Sequence, residues 1–339
     1  MSRGTPVSLT SNRRQNYLMN GDFAINQRFA NTTAIVSTTP SYVHDRFIYR
    51  AAGGSAVMNV STIAEVPPNT NFQQSARLVH AGDLANNGMH VAQRIEADII
   101  RPLVGQTVTF GAWVRLSVIP PSFNISIQVP NSGAEDNWAD LVTENDIIQV
   151  SRLAEVSSLD WVFIETSFVV PSEASNGMAL LLSIEENLSG ALTWDTTGWQ
   201  LNEGSFLAPF ELFSGFDPAQ ELRTVQRYYE KSYNLNIVPG TPVTQGAELF
   251  NTAGTGLAGT SVAGITVNFR IEKRVIPTIV IYRTLTGDPN LVDLISLSGS
   301  RNGAAGAGLT SFERGINVTV NLSTANSGML FQWTSDGEL

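Results

Sequence analysis

Cysteine is absent from the 339-residue chain, which excludes disulfide bonds and thiolate chemistry. Lysine is nearly absent too, since Lys231 and Lys273 are the only two. Charged residues make up 15% of the sequence and the formal net charge is −10, whereas charged residues are about a quarter of a typical domain. A protein that binds nucleic acid needs a basic surface to displace counterions, and no segment of the body supplies one. The composition therefore argues against nucleic acid as a partner.

Long hydrophobic runs are also missing. No stretch approaches the roughly 18 apolar residues of a membrane-spanning helix, and the first residues lack the apolar centre of a secretion signal. We therefore expect no membrane insertion and no export by the usual signal. Ser, Thr, Asn and Gln take the place of the charged residues, a composition typical of extended β-structure.

Alternation of apolar and polar residues with period two is the main pattern in the chain. In 265–272, ITVNFRIE, every second residue is apolar, and 106–116, QTVTFGAWVRL, follows the same rule. Turn-forming Gly, Pro, Asn and Ser residues separate such segments. The pattern predicts an all-β protein, a jelly-roll β-sandwich followed by a short connecting helix and a second, smaller β-sandwich.

One segment, 217–231, has helical periodicity instead. Asp217 is placed to cap it and Pro218 suits the first helical position. Leu222, Val225 and Tyr229 form one apolar stripe, which predicts packing on a neighbouring surface or on copies of the same helix. The chain then divides into four parts, listed in order: an N-terminal docking arm (1–16), a jelly-roll domain (17–211), a connecting helix (212–235) and a C-terminal β-sandwich (236–339). Within the last part, the glycine-rich SGSRNGAAGAG (298–308) is interpreted as a loop.

Seven segments, in order along the chain, resemble a family of bacteriophage tail-fibre and related virion-appendage proteins. Two residues within these segments depart from the family pattern: Phe47 stands where Trp is common in the family, and Val225 stands where Cys is common. The segments are YLMNGDFAINQR (17–28), YVHDRF (42–47), HVAQRIE (90–96), LVGQTVTFGAWVR (103–115), TGWQLNEGSFLAPFE (197–211), ELRTVQRYYEK (221–231) and FQWTSDGEL (331–339).

The resemblance implies a first domain like a carbohydrate-binding module and a small β-domain at the end. It also implies location in the virion, assembly as a homotrimer and contact with other virion proteins. The expected function is a structural subunit of a phage tail fibre or appendage that contributes to recognition of host-surface glycan. Two alternatives stay open, a capsid decoration or head-fibre protein and a polysaccharide-degrading enzyme.

A sugar site needs aromatic faces for the rings and polar side chains for the hydroxyl groups. Trp113 and Arg115 lie on the polar face of their strand, and Gln128 and Trp138 are the other candidates. The alternative, which the pattern favours, is that Trp113 packs beneath a second sheet and Trp138 anchors its loop.

A structural calcium ion is the one cofactor left open, with Asp22 and Asp195 as candidate ligands because jelly-roll carbohydrate modules often bind such an ion. The alternative for both is an ordinary turn aspartate. No catalytic motif is present, and His44, His80 and His90 lack the spacing of metal ligands. We therefore expect no enzymatic activity. In the arm, Arg3, Arg13 and Arg14 precede the first acidic residue and are candidates for docking on an acidic protein surface, although disorder of the arm is the simpler expectation.

Overall fold

The protein is described by a computed structural model. The structure describes residues 15–51, 57–82, 88–141, 143–185, 187, 190–215, 217–251, 261–296, 301–305, 308–322 and 326–339. Arg3, Arg13 and Arg14, the residues predicted to dock the arm, lie outside this part. Asn16, assigned to the arm from the sequence, instead belongs to the first sandwich, because its buried amide donates to the carbonyls of Trp199 and Glu211.

Two six-stranded antiparallel sheets form the first unit. The first, here called the front sheet, has the strand order β1-β4-β5-β12-β7-β10. The second, here called the back sheet, has the strand order β2-β3-β6-β11-β8-β9. Apolar side chains of both sheets form one buried core between them, as expected of a sandwich. The strands are β1 (Ala34–Val36), β2 (Ser41–Tyr42), β3 (Phe47–Ala51), β4 (Met58–Ile63), β5 (Ser75–His80), β6 (Met89–Ile95), β7 (Thr107–Leu116), β8 (Asn124–Val129), β9 (Asn145–Ser151), β10 (Val162–Val169), β11 (Met178–Ile184) and β12 (Leu192–Glu203). Short helical pieces are α1 (Ala97–Ile100) and the 3-10 turns Arg101–Leu103, Glu155–Ser158 and Ser172–Asn176.

The second unit is a smaller sandwich with its own buried core, to which Trp333 and Phe331 contribute. One sheet has the order β13-β21-β17-β18, with β14 and β16 also paired to β21, and the other has the order β15-β20-β19. The predicted all-β, jelly-roll class is thereby confirmed. The strands are β13 (Tyr229–Lys231), β14 (Glu248–Asn251), β15 (Ser261–Asn268), β16 (Thr278–Tyr282), β17 (Leu291–Ser296), β18 (Arg301–Ala305), β19 (Gly308–Phe312), β20 (Gly315–Leu322) and β21 (Asn326–Asp336).

The helix between the units is shorter than its sequence pattern predicts. Helix α2 (Pro218–Gln226) begins as expected, with the Asp217 carboxylate accepting from the Ala219 N–H at 2.9 Å. It ends at Gln226, because Tyr229–Lys231 leave the helix and pair with β21 of the second unit. The prediction of one connecting helix across 212–235 therefore needs correction, since part of that segment is a strand of the C-terminal sheet.

The glycine-rich segment 298–308 also differs from its prediction as a loop. Arg301–Ala305 form β18 and pair with β17, because a backbone ladder needs no side chains. At Gly303 a Cβ atom would lie 3.0 Å from the Arg283 guanidinium, so the absent side chain leaves room for that arginine.

Ion pairs join the two units through the residues at and just after the end of β21. Arg28, in the loop before β1, donates to Asp336 at 2.6 Å and lies 3.3 Å from Glu338. Arg46 pairs with the same Glu338, and both side chains are almost fully buried. The carboxylates of the second unit thus neutralise the buried arginines of the first.

The QRYY segment completes this junction. The Arg227 guanidinium lies 3.1 Å from the Glu96 carboxylate, which also accepts from the Tyr228 hydroxyl. The Arg46 guanidinium lies 3.5 Å above the Tyr228 ring, and that of Arg28 lies 3.8 Å above the Tyr229 ring. Five of the segments that carry the family resemblance therefore meet at the junction: 17–28, 42–47, 90–96, 221–231 and 331–339.

Two buried histidines, His44 and His90, make the free energy of unfolding depend on pH. Burial lowers the pKa of His44 and of His90 to about 3, from an ordinary value of 6.5. A neutral histidine with a lowered pKa contributes stability above pH 6.5, and that contribution is lost as the pH falls toward 3. Asp45 opposes the trend, because burial raises its pKa to about 7 and its contribution is lost as the pH rises through that value.

We expect His90→Gln to lose less unfolding free energy than the wild type between pH 7 and pH 4, measured by urea denaturation; equal losses would contradict this assignment.

Candidate functional site

A cleft opens on the outer face of the front sheet, where the segment after β12 folds back over β7. The Gly204 carbonyl accepts from the Thr109 hydroxyl at 2.7 Å, and the Gln200 amide donates to the Ala208 carbonyl at 2.9 Å. A Cβ atom at Gly111 would clash with the Leu207 and Phe163 side chains, so the glycine lets this segment cross the strand closely.

The cleft has a volume of about 460 Å³ and lies between this segment, the loop before β5 and the middle of β7. Its walls combine three half-buried aromatic rings with carboxylates, an amide and a hydroxyl. The residues are Asp22, Thr70, Asn71, Phe72, Trp113, Phe210 and Glu211.

Gly198 sets the distance between the aromatic walls. It has φ +65° at an irregularity in the pairing of β12 with β7. A Cβ atom here would lie 2.7 Å from the Phe72 ring and 3.1 Å from the Trp113 ring. The Phe72 and Phe210 rings meet edge to face, with centroids 4.8 Å apart, and the Trp113 ring lies 5.3 Å from that of Phe163. The rings therefore hold one another in place before any ligand arrives.

The polar side of the cleft is acidic. Burial raises the pKa of the Asp22 carboxyl above its ordinary value and the negative charge of Glu221 adds to the rise, while the Ala24 N–H opposes it. Glu221 lies behind the cleft, where its carboxylate accepts from the backbone N–H groups of Asn20 and Ser214 at 2.6 and 2.9 Å. No lysine or arginine lines the cleft in the described part of the chain.

Of the four residues predicted to bind sugar, Trp113 is the one in the cleft. Arg115 lies two positions further along the same strand, paired with Asp195 at 2.6 Å and 5.1 Å from the Trp161 ring. Gln128 belongs to the back sheet, is buried and donates to the Leu141 carbonyl. The predicted platform of Trp113, Arg115, Gln128 and Trp138 is therefore wrong.

Trp138 has the packing role that the sequence left as its alternative. The Arg94 guanidinium lies 5.1 Å from its ring, and its edge lies close to Gly177.

Phe72 and Phe210 line the cleft but were not predicted from the sequence, because both lie in irregular segments without periodicity. The position of Phe210 within the TGWQLNEGSFLAPFE run was the available signal.

The predicted calcium pair is not brought together as a site. The Asp195 carboxylate is buried and bound by two guanidinium groups, with Arg77 Nε at 2.8 Å and Arg115 Nη2 at 2.6 Å. The carboxylate is therefore occupied by two guanidinium groups, and Asp22 lines the aromatic cleft. Among the described residues no group of three or more His, Asp or Glu side chains is arranged to hold a metal ion.

The sequence left open whether the helix stripe contacts sister chains or its own chain, and in the structure it packs within its own chain. Val225 is fully buried against Met19 and Tyr228, with Leu222 at the edge of this cluster. Tyr229 lies in β13 beneath Arg28. Val225 and Tyr229 are therefore not available to a second copy.

Among the described helices none is long and apolar enough to cross a membrane.

Comparison with known proteins gives structural neighbours only. No protein-family model and no characterised sequence matches the chain. Similar solved structures include the enzymatically active domain of tailspike protein 4 of bacteriophage CBA120, at 14% identity and a TM-score of 0.33, matching 56% of this chain and 21% of that one. A CBM4 module matches at 12% identity and a TM-score of 0.30 over 55% of this chain and 98% of the module. TmCBM61, in complex with β-1,4-galactotriose, matches at 13% identity and a TM-score of 0.30, over 56% of this chain and 99% of that one. The structural neighbours are thus carbohydrate-binding modules and a phage tailspike domain.

Proposed function

We propose that the chain binds glycans through the cleft on its front sheet. The observation that carries the proposal is the combination of Phe72, Trp113 and Phe210 with the polar groups of Asp22 and Asn71 in one open cleft. Sugar rings present apolar faces that stack on aromatic rings, and their hydroxyl groups need hydrogen-bonding partners at the edge. The cleft offers both, and its rings already support one another, so little ordering accompanies binding.

We further propose that the chain is a subunit of a phage tail fibre or related virion appendage and works as a homotrimer. The support is the ordered family-like segments, five of which hold the two units together. Subunits would associate through surfaces other than Val225 and Tyr229 of the stripe, because these two side chains are buried. Immunogold electron microscopy of particles, with light scattering of the purified chain, tests this role; labelling of the head shell would favour a decoration protein instead.

Trp113→Ala is expected to weaken binding of the best ligand found on a glycan array by about 10-fold or more, since central aromatic anchors contribute about 2 kcal/mol. Isothermal titration measures the change, and circular dichroism checks the fold. Trp161→Ala is the matched control, because Trp161 lies on the same sheet face against Arg115 and does not line the cleft. Unchanged affinity in Trp113→Ala would contradict the cleft as the binding site.

A second candidate, glycoside hydrolysis, is favoured by one observation. Two carboxyl groups, Asp22 and Glu211, line the same cleft, and a raised pKa such as that of Asp22 suits a general acid. We propose binding without cleavage as the primary function. Incubation with each bound oligosaccharide and assay of new reducing ends separates the two, because release that disappears in Asp22→Asn would establish the hydrolase.

A further inference from the structure

The charge of the cleft is negative on every side that carries an ionisable group. Asp22 and Glu211 line it, and Glu221 lies behind Asp22. The two arginines on the same sheet face, Arg77 and Arg115, both pair with Asp195, and Arg77 also lies 3.9 Å from Glu65, so these four side chains together carry no net charge. A ligand in this cleft therefore meets carboxylates without a protein cation to balance them.

Neither cleft carboxylate has a cationic partner in the described structure. The Asp22 carboxylate accepts a hydrogen bond from the Ala24 N–H at 3.3 Å, and its one charged neighbour is the acidic Glu221. Glu211 is held through its backbone, since its carbonyl accepts from the Asn16 amide at 3.0 Å, while its carboxylate has no protein partner among the described residues. A partly buried carboxylate beside a like charge, as Asp22 is beside Glu221, is stabilised by a cation from outside.

Aromatic rings and carboxylates together form a favourable environment for an ammonium group. The π-face of an aromatic ring attracts a cation, and the attraction grows when water is partly excluded. Phe72, Trp113 and Phe210 supply the rings, and Asp22 and Glu211 supply the charge. A sugar that carries a protonated amine uses every one of these groups, whereas a neutral sugar leaves the charge unbalanced.

We propose that the cleft selects glycans containing unacetylated amino sugars and rejects glycans rich in uronate, sialate or phosphate. This inference rests on the proposed glycan binding at the same site and specifies its ligand class. Like charges across a binding surface oppose association, and opposite charges favour it.

The experiment compares three oligosaccharides by isothermal titration against the full chain, at a pH where the sugar amine is protonated. They are the tetramer of β-1,4-glucosamine, its fully N-acetylated form and a tetramer of galacturonate. We expect the glucosamine tetramer to bind about 10-fold more tightly than the acetylated one, as a cation–π and charge contribution predicts. Raising the salt concentration should reduce this ratio, because exposed charges are screened. Galacturonate should not bind measurably.

The double variant Asp22→Asn, Glu211→Gln removes the charge and keeps the shape of both side chains. Its affinity for the glucosamine tetramer should fall to that for the acetylated form, which should itself change by less than about 3-fold. Glu173→Gln, an exposed acid outside the cleft, is the control and should leave both affinities unchanged.

The outcomes separate this inference from the proposed function. Equal or tighter binding of the acetylated or galacturonate tetramer overturns the selectivity and leaves glycan binding standing. A preference for glucosamine that survives in the double variant assigns it to another surface and overturns the inference as well. Binding of no sugar, here or on the array, overturns the proposed function and the inference together.

Discussion

Lys273→Met is expected to lower the free energy of unfolding of the second unit by about 3–5 kcal/mol, the usual cost of leaving one member of a buried ion pair alone. The Lys273 ammonium is fully buried and lies 2.5 Å from the Glu230 carboxylate, and it also donates to the Gln226 carbonyl at 2.6 Å. Burial lowers the pKa of Lys273, whereas Glu230 opposes that shift, so the pair depends on both members. Without the lysine, the charged carboxylate remains in the interior with the Arg270 guanidinium, mostly exposed and 4.0 Å away, as its cationic neighbour.

Differential scanning calorimetry and urea denaturation measure this loss. In the double variant Lys273→Met, Glu230→Gln, removal of both charges should recover most of the lost stability. Arg314→Met is the matched control, because Arg314 and Glu272 form an exposed pair at 2.9 Å and should change stability by less than about 1 kcal/mol. A Lys273→Met loss no larger than that of the control would show that the buried pair is not stabilising.

Glu338→Gln is expected to cost about 3 kcal/mol and to uncouple the two units, since it removes the carboxylate that pairs with the buried Arg46 and contributes to the neutralisation of Arg28. Arg46 is almost fully buried against Glu338, and the Arg28 guanidinium lies 3.3 Å from the same carboxylate. Glutamine keeps the shape of the side chain, so the expected effect comes from charge rather than from a cavity.

We expect the unfolding transitions of the two units to separate in calorimetry and proteolysis between the units to become faster.

Glu135→Gln is the control for this variant. Glu135 pairs with Arg101 at 2.8 Å on the surface, where both side chains are about half exposed, and exposed pairs contribute little. A single transition in Glu338→Gln at the wild-type temperature would show that the junction carries no coupling.

Local patterns were sufficient for the fold class. In 261–268 and the residue that follows, Val267 and Phe269 are buried while Thr266 and Asn268 are exposed, as the alternation predicts. The cap at Asp217 was also predictable, because capping depends on neighbours within one turn. The end of the helix was not, since the competing partner of Tyr229–Lys231 is β21, about a hundred residues later.

The candidate site was predictable only in part. Trp113 was identified because its strand alternates, and Asp22 was identified for calcium although it lies beside aromatic rings. Gln128 looked suitable, yet it belongs to the back sheet. Phe72 and Phe210 come from loops, where no periodicity indicates the direction of a side chain.

The sequence alone determined the strands that alternate regularly, their inward faces and the start of the helix, because these depend on residues near one another along the chain. Tertiary structure decided which strands share a sheet, where Phe72, Trp113 and Phe210 meet, and which arginines receive Asp336 and Glu338. Among these contacts, the one between Arg28 and Asp336 joins residues 308 positions apart. Their formation depends on how the sheets pack as a whole, which no local pattern contains.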